Sequence, residues 1–151
     1  MVSRRTIDDF LDQKTLALVG VSRDGKKGFG NAVRRELTAK GYTLLIVHPD
    51  AAAIEGVPCA RTVKEVAGRV GGAILVTPPA VTSKLVREVA DAGIRRVWIQ
   101  QGAESDEAVR FCEEHGVAVV HHQCVLMFPN PAGFPHRVHR GLLKLFRRLP
   151  S

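Results

Sequence analysis

Five short apolar runs punctuate the chain: Thr15 to Val21 (TLALVGV), Thr43 to Val47 (TLLIV), Ala73 to Val76 (AILV), Arg96 to Ile99 (RVWI) and Val117 to Val120 (VAVV). They are continuous, not alternating, which is the pattern of strands buried on both faces. Between them the apolar positions recur at helical spacing. Asn31 to Lys40 sets Val33 and Leu37 four apart, and Gly41 follows as a left-handed stop. Thr62 with Glu65 forms a capping-box pattern before Val66. Thr77 followed by Pro78 reads as an N-cap and first helical residue, after which Val81, Leu85 and Val89 share a face that stops near Gly93. Ser105 to His115 gathers Ala108, Phe111 and Cys112 and stops at Gly116. Strands alternating with helices, without a hairpin signal, predict an α/β fold. The expected form is Rossmann-like: a three-layer α/β/α sandwich on a five-stranded, mainly parallel sheet. Residues 1–151 read as a single domain, with the loop PNPAGFPH at 129–136 leading into a basic C-terminal helix at about 136–149.

Composition narrows the setting. A chain of 151 residues, 45% hydrophobic and 25% charged, builds one folded core and is too apolar for disorder. No apolar run reaches the roughly 18 residues of a spanning helix, and MVSRRTIDDF lacks a signal-peptide core. Three cysteines, Cys59, Cys112 and Cys124, are odd in number and have no CxxC spacing. A cytoplasmic protein with no stable membrane insertion, no disulfide framework and no structural metal is therefore expected. The net charge of +7 is uneven: beyond Glu114 there is no acidic residue, while Arg137, Arg140, Lys144, Arg147 and Arg148 are all basic. Such a balance suits an anionic ligand, nucleic acid or an acidic partner.

In a sheet of this kind ligands bind beyond the carboxyl ends of the strands, where the crossovers part. The first such loop runs Gly20-Val21-Ser22-Arg23-Asp24-Gly25-Lys26-Lys27-Gly28-Phe29-Gly30 and opens a helix. Small residues there let backbone N–H groups and a helix N-terminus face a phosphate. The dinucleotide fingerprint GxGxxG is broken, because Ser22 stands at its second glycine. The second strand ends in Val47-His48-Pro49, without the carboxylate that holds a ribose diol, and Asp50 lies beyond a proline that redirects the chain. A ribose that carries a phosphate would be repelled by a carboxylate and welcomed by a cation. Coenzyme A or NADP is thus favoured over NAD. Tyr42 is followed four residues later by Ile46, so the YxxxK pair of short-chain reductases is absent.

The ordered segments LVGVSRDGKKGFG, GYTLLIVHP, IEGVPC, ILVTPP, VWIQQG and the stretch to Cys124 resemble the stand-alone coenzyme A-binding domain proteins. These are similar to the N-terminal domain of the succinyl-CoA synthetase alpha subunit. The resemblance runs from about Phe10 to Cys124 and implies coenzyme A binding through the loops already located. It places Gly20, Val21 and Ser22 at the diphosphate, with Arg23, Lys26 and Lys27 supplying charge and Phe29 and Gly30 opening the helix. His48 and Pro49 match the segment after strand two, which usually reads Asn-Pro; a histidine there could aid phosphate binding when protonated. Thr77, Pro78 and Pro79 match a proline-rich turn lining the adenine and pantetheine side, and Gln100 to Gly102 match a WxQxG segment. For Gln100 a loop-capping amide and a ligand contact are equally open. The synthetase's phosphorylated histidine belongs to a second domain, so no phosphoryl transfer is expected.

The function expected is non-catalytic binding of coenzyme A or a short acyl-CoA. Two alternatives stand beside it: an NAD(P)-binding oxidoreductase or redox sensor, and a regulatory protein acting through its basic C-terminal helix. That helix carries Val138, Leu142, Leu145 and Leu149 at helical spacing. Packing on its own domain or on a second subunit, as in a homodimer, is favoured over membrane or nucleic acid, since no aromatic platform accompanies the charge. His121, His122 and Cys124 do not read as metal ligands, because neighbouring strand residues point to opposite faces. Cys124 reads either as a buried inert thiol or as a partner for the coenzyme's thiol. Trp98 and the phenylalanines are expected to fill the core.

Overall fold

Each apolar run forms a strand in the computed structural model, which describes residues 2–128. The elements in chain order are α1 (Arg4–Leu11), β1 (Thr15–Val19), α2 (Phe29–Ala39), β2 (Thr43–Val47), β3 (Ala53–Ile54), β4 (Val57–Ala60) and α3 (Val63–Val66). They continue with β5 (Gly72–Leu75), α4 (Pro79–Asp91), β6 (Arg96–Gln100), α5 (Asp106–Glu114) and β7 (Ala118–Gln123). In space the sheet runs β3-β4-β2-β1-β5-β6-β7, and every neighbouring pair is parallel except β3 with β4. The chain winds outward from β1 to β2 and then returns to β5 on the other side. Between β1 and β5 the crossovers therefore leave on opposite faces, which opens the crevice.

The sheet has seven strands, not the expected five. The extra pair is a two-residue hairpin turning at Glu55 (φ 48°) and Gly56 (φ 77°), both left-handed as a type I′ turn requires. Its signal is weak because glutamate stands where Asn or Asp is usual, and Pro58 interrupts a four-residue strand tolerated only near an edge. Helix α1 was likewise not among the expected elements. Ser3 caps it by accepting from the Thr6 amide, and Ile7, Phe10 and Leu11 are buried. Gly72 leaves the space that Phe10 fills, since a Cβ there would meet the Phe10 ring at 2.8 Å.

Two apolar layers sandwich the sheet. On one face α1 and α2 bring Phe10, Val33 and Leu37 against Leu16, Leu18, Ile74 and Trp98. On the other, α3, α4 and α5 bring Val66, Val86, Val89 and Cys112 against Ala17, Ala73, Leu75 and Val97. Trp98 is fully buried, with Phe10 at 5.4 Å and Phe128 at 5.7 Å between ring centroids, and its Nε1–H donates to the Gln123 carbonyl. Phe29, by contrast, is 45% exposed and lies outside the core.

Gly41, Gly93 and Gly116 do end helices with positive φ. The starts differ from expectation. Thr62 makes no side-chain cap, and Glu65 accepts instead from the Arg61 amide, one residue earlier than a capping box requires. The N-cap of α4 is Pro78, with Pro79 as its first residue, and its buried face carries Thr82, Val86 and Val89. The face was misassigned because Val81 and Leu85 share the apolar spacing; they turn towards the crevice described below. The helix expected at about 136–149 lies outside the described residues. Among the described residues no helix is long and apolar enough to cross a membrane.

Candidate functional site

The loop from Gly20 to Gly28 sits at the crevice and is shaped by two close backbone approaches. Gly20 has φ 110°, and a Cβ there would collide with the Val76 carbonyl at the end of β5. A Cβ on Gly30 would lie 2.5 Å from the Gly20 carbonyl. Both sites thus need glycine, one for conformation and space, the other for the packing of α2 onto β1. Gly28 is the N-cap of α2 and offers no side-chain cap to the first-turn amides of this 11-residue helix.

Asn31 organises the loop from behind. It is fully buried, and its Nδ2 donates to the carbonyls of Ser22 (3.0 Å), Asp24 (3.1 Å) and Lys27 (2.9 Å). Arg34 donates through Nε to Asn31 Oδ1 at 3.1 Å and through Nη2 to Glu55 at 2.9 Å, while Arg35 donates to the Gly25 carbonyl at 3.0 Å. Within the loop the Lys26 amide donates to Asp24 Oδ1 at 3.0 Å and the Lys27 amide to the Asp24 carbonyl at 3.0 Å, so the loop is held by its own polar groups. The Ser22 hydroxyl accepts from the Asp24 amide at 3.3 Å. Arg23, Lys26 and Lys27 are exposed along the rim, and Lys27 leans towards Asp24 at 3.9 Å.

Beside the loop lies a pocket of about 300 Å³. Val19, Val21, Val47, Val63, Val81 and Leu85 give it apolar walls, and Gly20, His48, Pro49, Arg61, Thr62, Thr77 and Glu88 complete it. That volume is at the lower end of the range for ligand pockets.

His48 has a structural task. Its Nδ1 accepts from the amides of Asp50 (3.0 Å) and Ala51 (2.9 Å), as an asparagine oxygen would, which assigns the proton to Nε2. A proton on Nδ1 would break both bonds. The Thr77 hydroxyl lies 2.7 Å from that of buried Thr82, fixing the turn into α4.

The residues named from the sequence therefore divide into three groups. Gly20, Val21, His48, Pro49 and Thr77 line the pocket. Ser22, Arg23, Lys26, Lys27, Phe29 and Gly30 form the adjoining loop and helix start, and Pro78 and Pro79 are exposed at the start of α4. Gln100 and Gly102 stand further along the sheet and are not among the pocket walls. Gln100 is buried and its Oε1 accepts from the Val125 amide at 3.0 Å, which fastens the segment after β7. Gly102 donates to Glu104, whose other oxygen accepts from the His122 amide.

His122 adopts φ 58°, where β7 departs from regular register with β6. That break overturns the expected alternation: the rings of His121 and His122 approach to 5.0 Å. Among the described residues no three His, Cys, Asp or Glu side chains gather to hold a metal ion. Asn31 behind the loop, and Val19, Val47, Arg61, Thr62, Val63, Val81, Leu85 and Glu88 in the pocket walls, are not among the site residues expected from the sequence. An asparagine in the first turn after a glycine-rich loop was the available signal for Asn31.

Strand order and switch point define an α/β domain of Rossmann-like type. More specifically, the chain belongs to the CoA binding domain family, whose model matches residues 14–128. A curated relative, the acetate–CoA ligase (ADP-forming) II subunit alpha of Pyrococcus furiosus, is 27% identical over 130 residues, covering 79% of this chain and 28% of that subunit. The chain thus spans less than a third of that relative's length. Among solved structures, a conserved hypothetical protein from Pyrococcus furiosus is 37% identical with a TM-score of 0.70, covering 75% of this chain and 97% of that one. A hypothetical protein from Pyrococcus horikoshii OT3 is 25% identical with a TM-score of 0.74, covering 94% and 93% respectively.

Proposed function

We propose that this protein binds coenzyme A or a short acyl-CoA without transforming it. The adenine end occupies the pocket between β1, β2 and α4, and the diphosphate lies on the loop from Gly20 to Gly30. Family membership supports the ligand. The observation that supports its placement is the Asn31 contact set, which ties the Ser22, Asp24 and Lys27 carbonyls together and fixes the loop beside the crevice. Lys26 and Lys27 add charge at the rim, and from there the pantetheine arm runs towards the ends of β6 and β7. The ligase relative is far longer than this chain, which spans 28% of it.

Titration calorimetry of the full chain with coenzyme A, acetyl-CoA, NAD and NADPH tests the reading. Saturable binding of the first two, with nicotinamide nucleotides much weaker, is expected. Replacing Lys26 and Lys27 together with alanine should weaken coenzyme A and dephospho-CoA alike, since both carry the diphosphate, and the loss should shrink as salt rises. Stronger binding of NADPH than of coenzyme A would overturn the assignment.

A further inference from the structure

We propose that Arg61 reads the phosphate on the ribose of the bound nucleotide and so sets a preference for coenzyme A over dephospho-CoA. This rests on the pocket being the coenzyme A site, and it assigns a residue that the glycine-loop reading leaves out. The second strand lacks the carboxylate that would grip a ribose diol, and the structure shows what replaces it. His48 donates its amide to the Ala60 carbonyl at 2.8 Å, so β4 delivers Arg61 directly beside His48 and Pro49. The guanidinium reaches the Pro49 carbonyl at 3.4 Å, a long contact that leaves most of its five donors for a ligand.

The charges around it favour a phosphate at this place. Of the pocket's walls only Arg61 and Glu88 carry a formal charge, and they belong to different sides, Arg61 to the end of β4 and Glu88 to α4. Glu88 repels a phosphate from the α4 wall and directs it to Arg61. Glu65 is also near, but it is engaged with the Arg61 backbone amide at 2.8 Å, and among the described residues no carboxylate forms an ion pair with the Arg61 side chain. The Thr62 hydroxyl, which makes no cap bond, adds a donor at the same wall. Lys26 and Lys27 do not line this pocket. A planar guanidinium matches two phosphate oxygens at once, which a point charge does not.

The test is titration calorimetry of coenzyme A and dephospho-CoA against the wild-type chain, Arg61→Gln and Arg61→Lys. Wild type should prefer coenzyme A, and Arg61→Gln should lose about 10- to 100-fold for coenzyme A while dephospho-CoA changes by less than about twofold. Arg61→Lys should recover part of the preference, because it restores charge without the fork. Arg61 is exposed and its backbone bond to Glu65 survives substitution, so the variants fold. A wild type that binds both ligands equally, or an Arg61→Gln variant that weakens both alike or neither, overturns the role of Arg61 and leaves the coenzyme A site standing. A wild type that binds neither ligand overturns both.

Discussion

Replacing Asn31 with leucine keeps the side chain's size and removes every polar atom. Three carbonyls then lose their donor, and Arg34 loses an acceptor. One amide group has two hydrogens, so the three contacts are worth at most two full bonds and a shared one. At about 1 kcal/mol net for each bond, with a further penalty for carbonyls left dry, the loss is about 2–4 kcal/mol. Urea unfolding, analysed by linear extrapolation, measures it. The loop would also be free to turn carbonyls towards the crevice, so coenzyme A affinity should fall more than about tenfold, while adenosine, which lacks phosphates, should be nearly unaffected. Asn31→Asp is isosteric but faces a carboxylate against three carbonyls, and it should cost more than leucine at neutral pH. A leucine variant with unchanged stability and unchanged coenzyme A affinity would refute the idea that Asn31 presets the loop.

Other consequences are equally accessible. Gly20→Ala forces a Cβ into the Val76 carbonyl at a left-handed φ, and it should lower stability by about 2–4 kcal/mol in the same unfolding assay. Burial, and after it the neighbouring His122, lowers the His121 pKa from its ordinary 6.5. The unfolded chain therefore takes up this proton first as pH falls, so the His121 contribution is flat above about pH 6.5 and erodes stability below it. Thermal melts across that range should show a shallower acid decline for His121→Asn. The Cys112 thiol is fully buried and pushed up to about 12, mainly by burial and then by Glu113. Alkylation followed by mass spectrometry should label Cys112 only after unfolding.

The parallel core was legible because its strands are buried on both faces and read as unbroken apolar runs. The hairpin of β3 and β4 was not, since two residues of strand and a Glu-Gly turn carry almost no periodic signal. That omission mattered for the site: β4 delivers Arg61, so a reading without β4 left the cationic contacts to the glycine loop and His48. Val81 and Leu85 show a second limit. Their spacing announces an apolar helix face, but spacing cannot say whether that face meets the core or lines a pocket. The two roles of His48 and Gln100 depended on which amides lie opposite them, and those are distant in sequence or hidden in a turn. At Gly20 and Gly30 the close backbone approaches explain why glycine stands at both positions.

Open sheets carry a hazard at their margins, where unpaired strands can recruit a neighbouring molecule and seed fibres. Here one margin is β3, only two residues long and turned against its neighbour. At the other, β7 is bent by the left-handed His122 before it can present a long straight ladder. Straightening that bend with a β-branched residue would create a more adhesive border, and self-association on concentration would be the visible result. The kink that draws two imidazoles together thus also shortens the straight edge of β7.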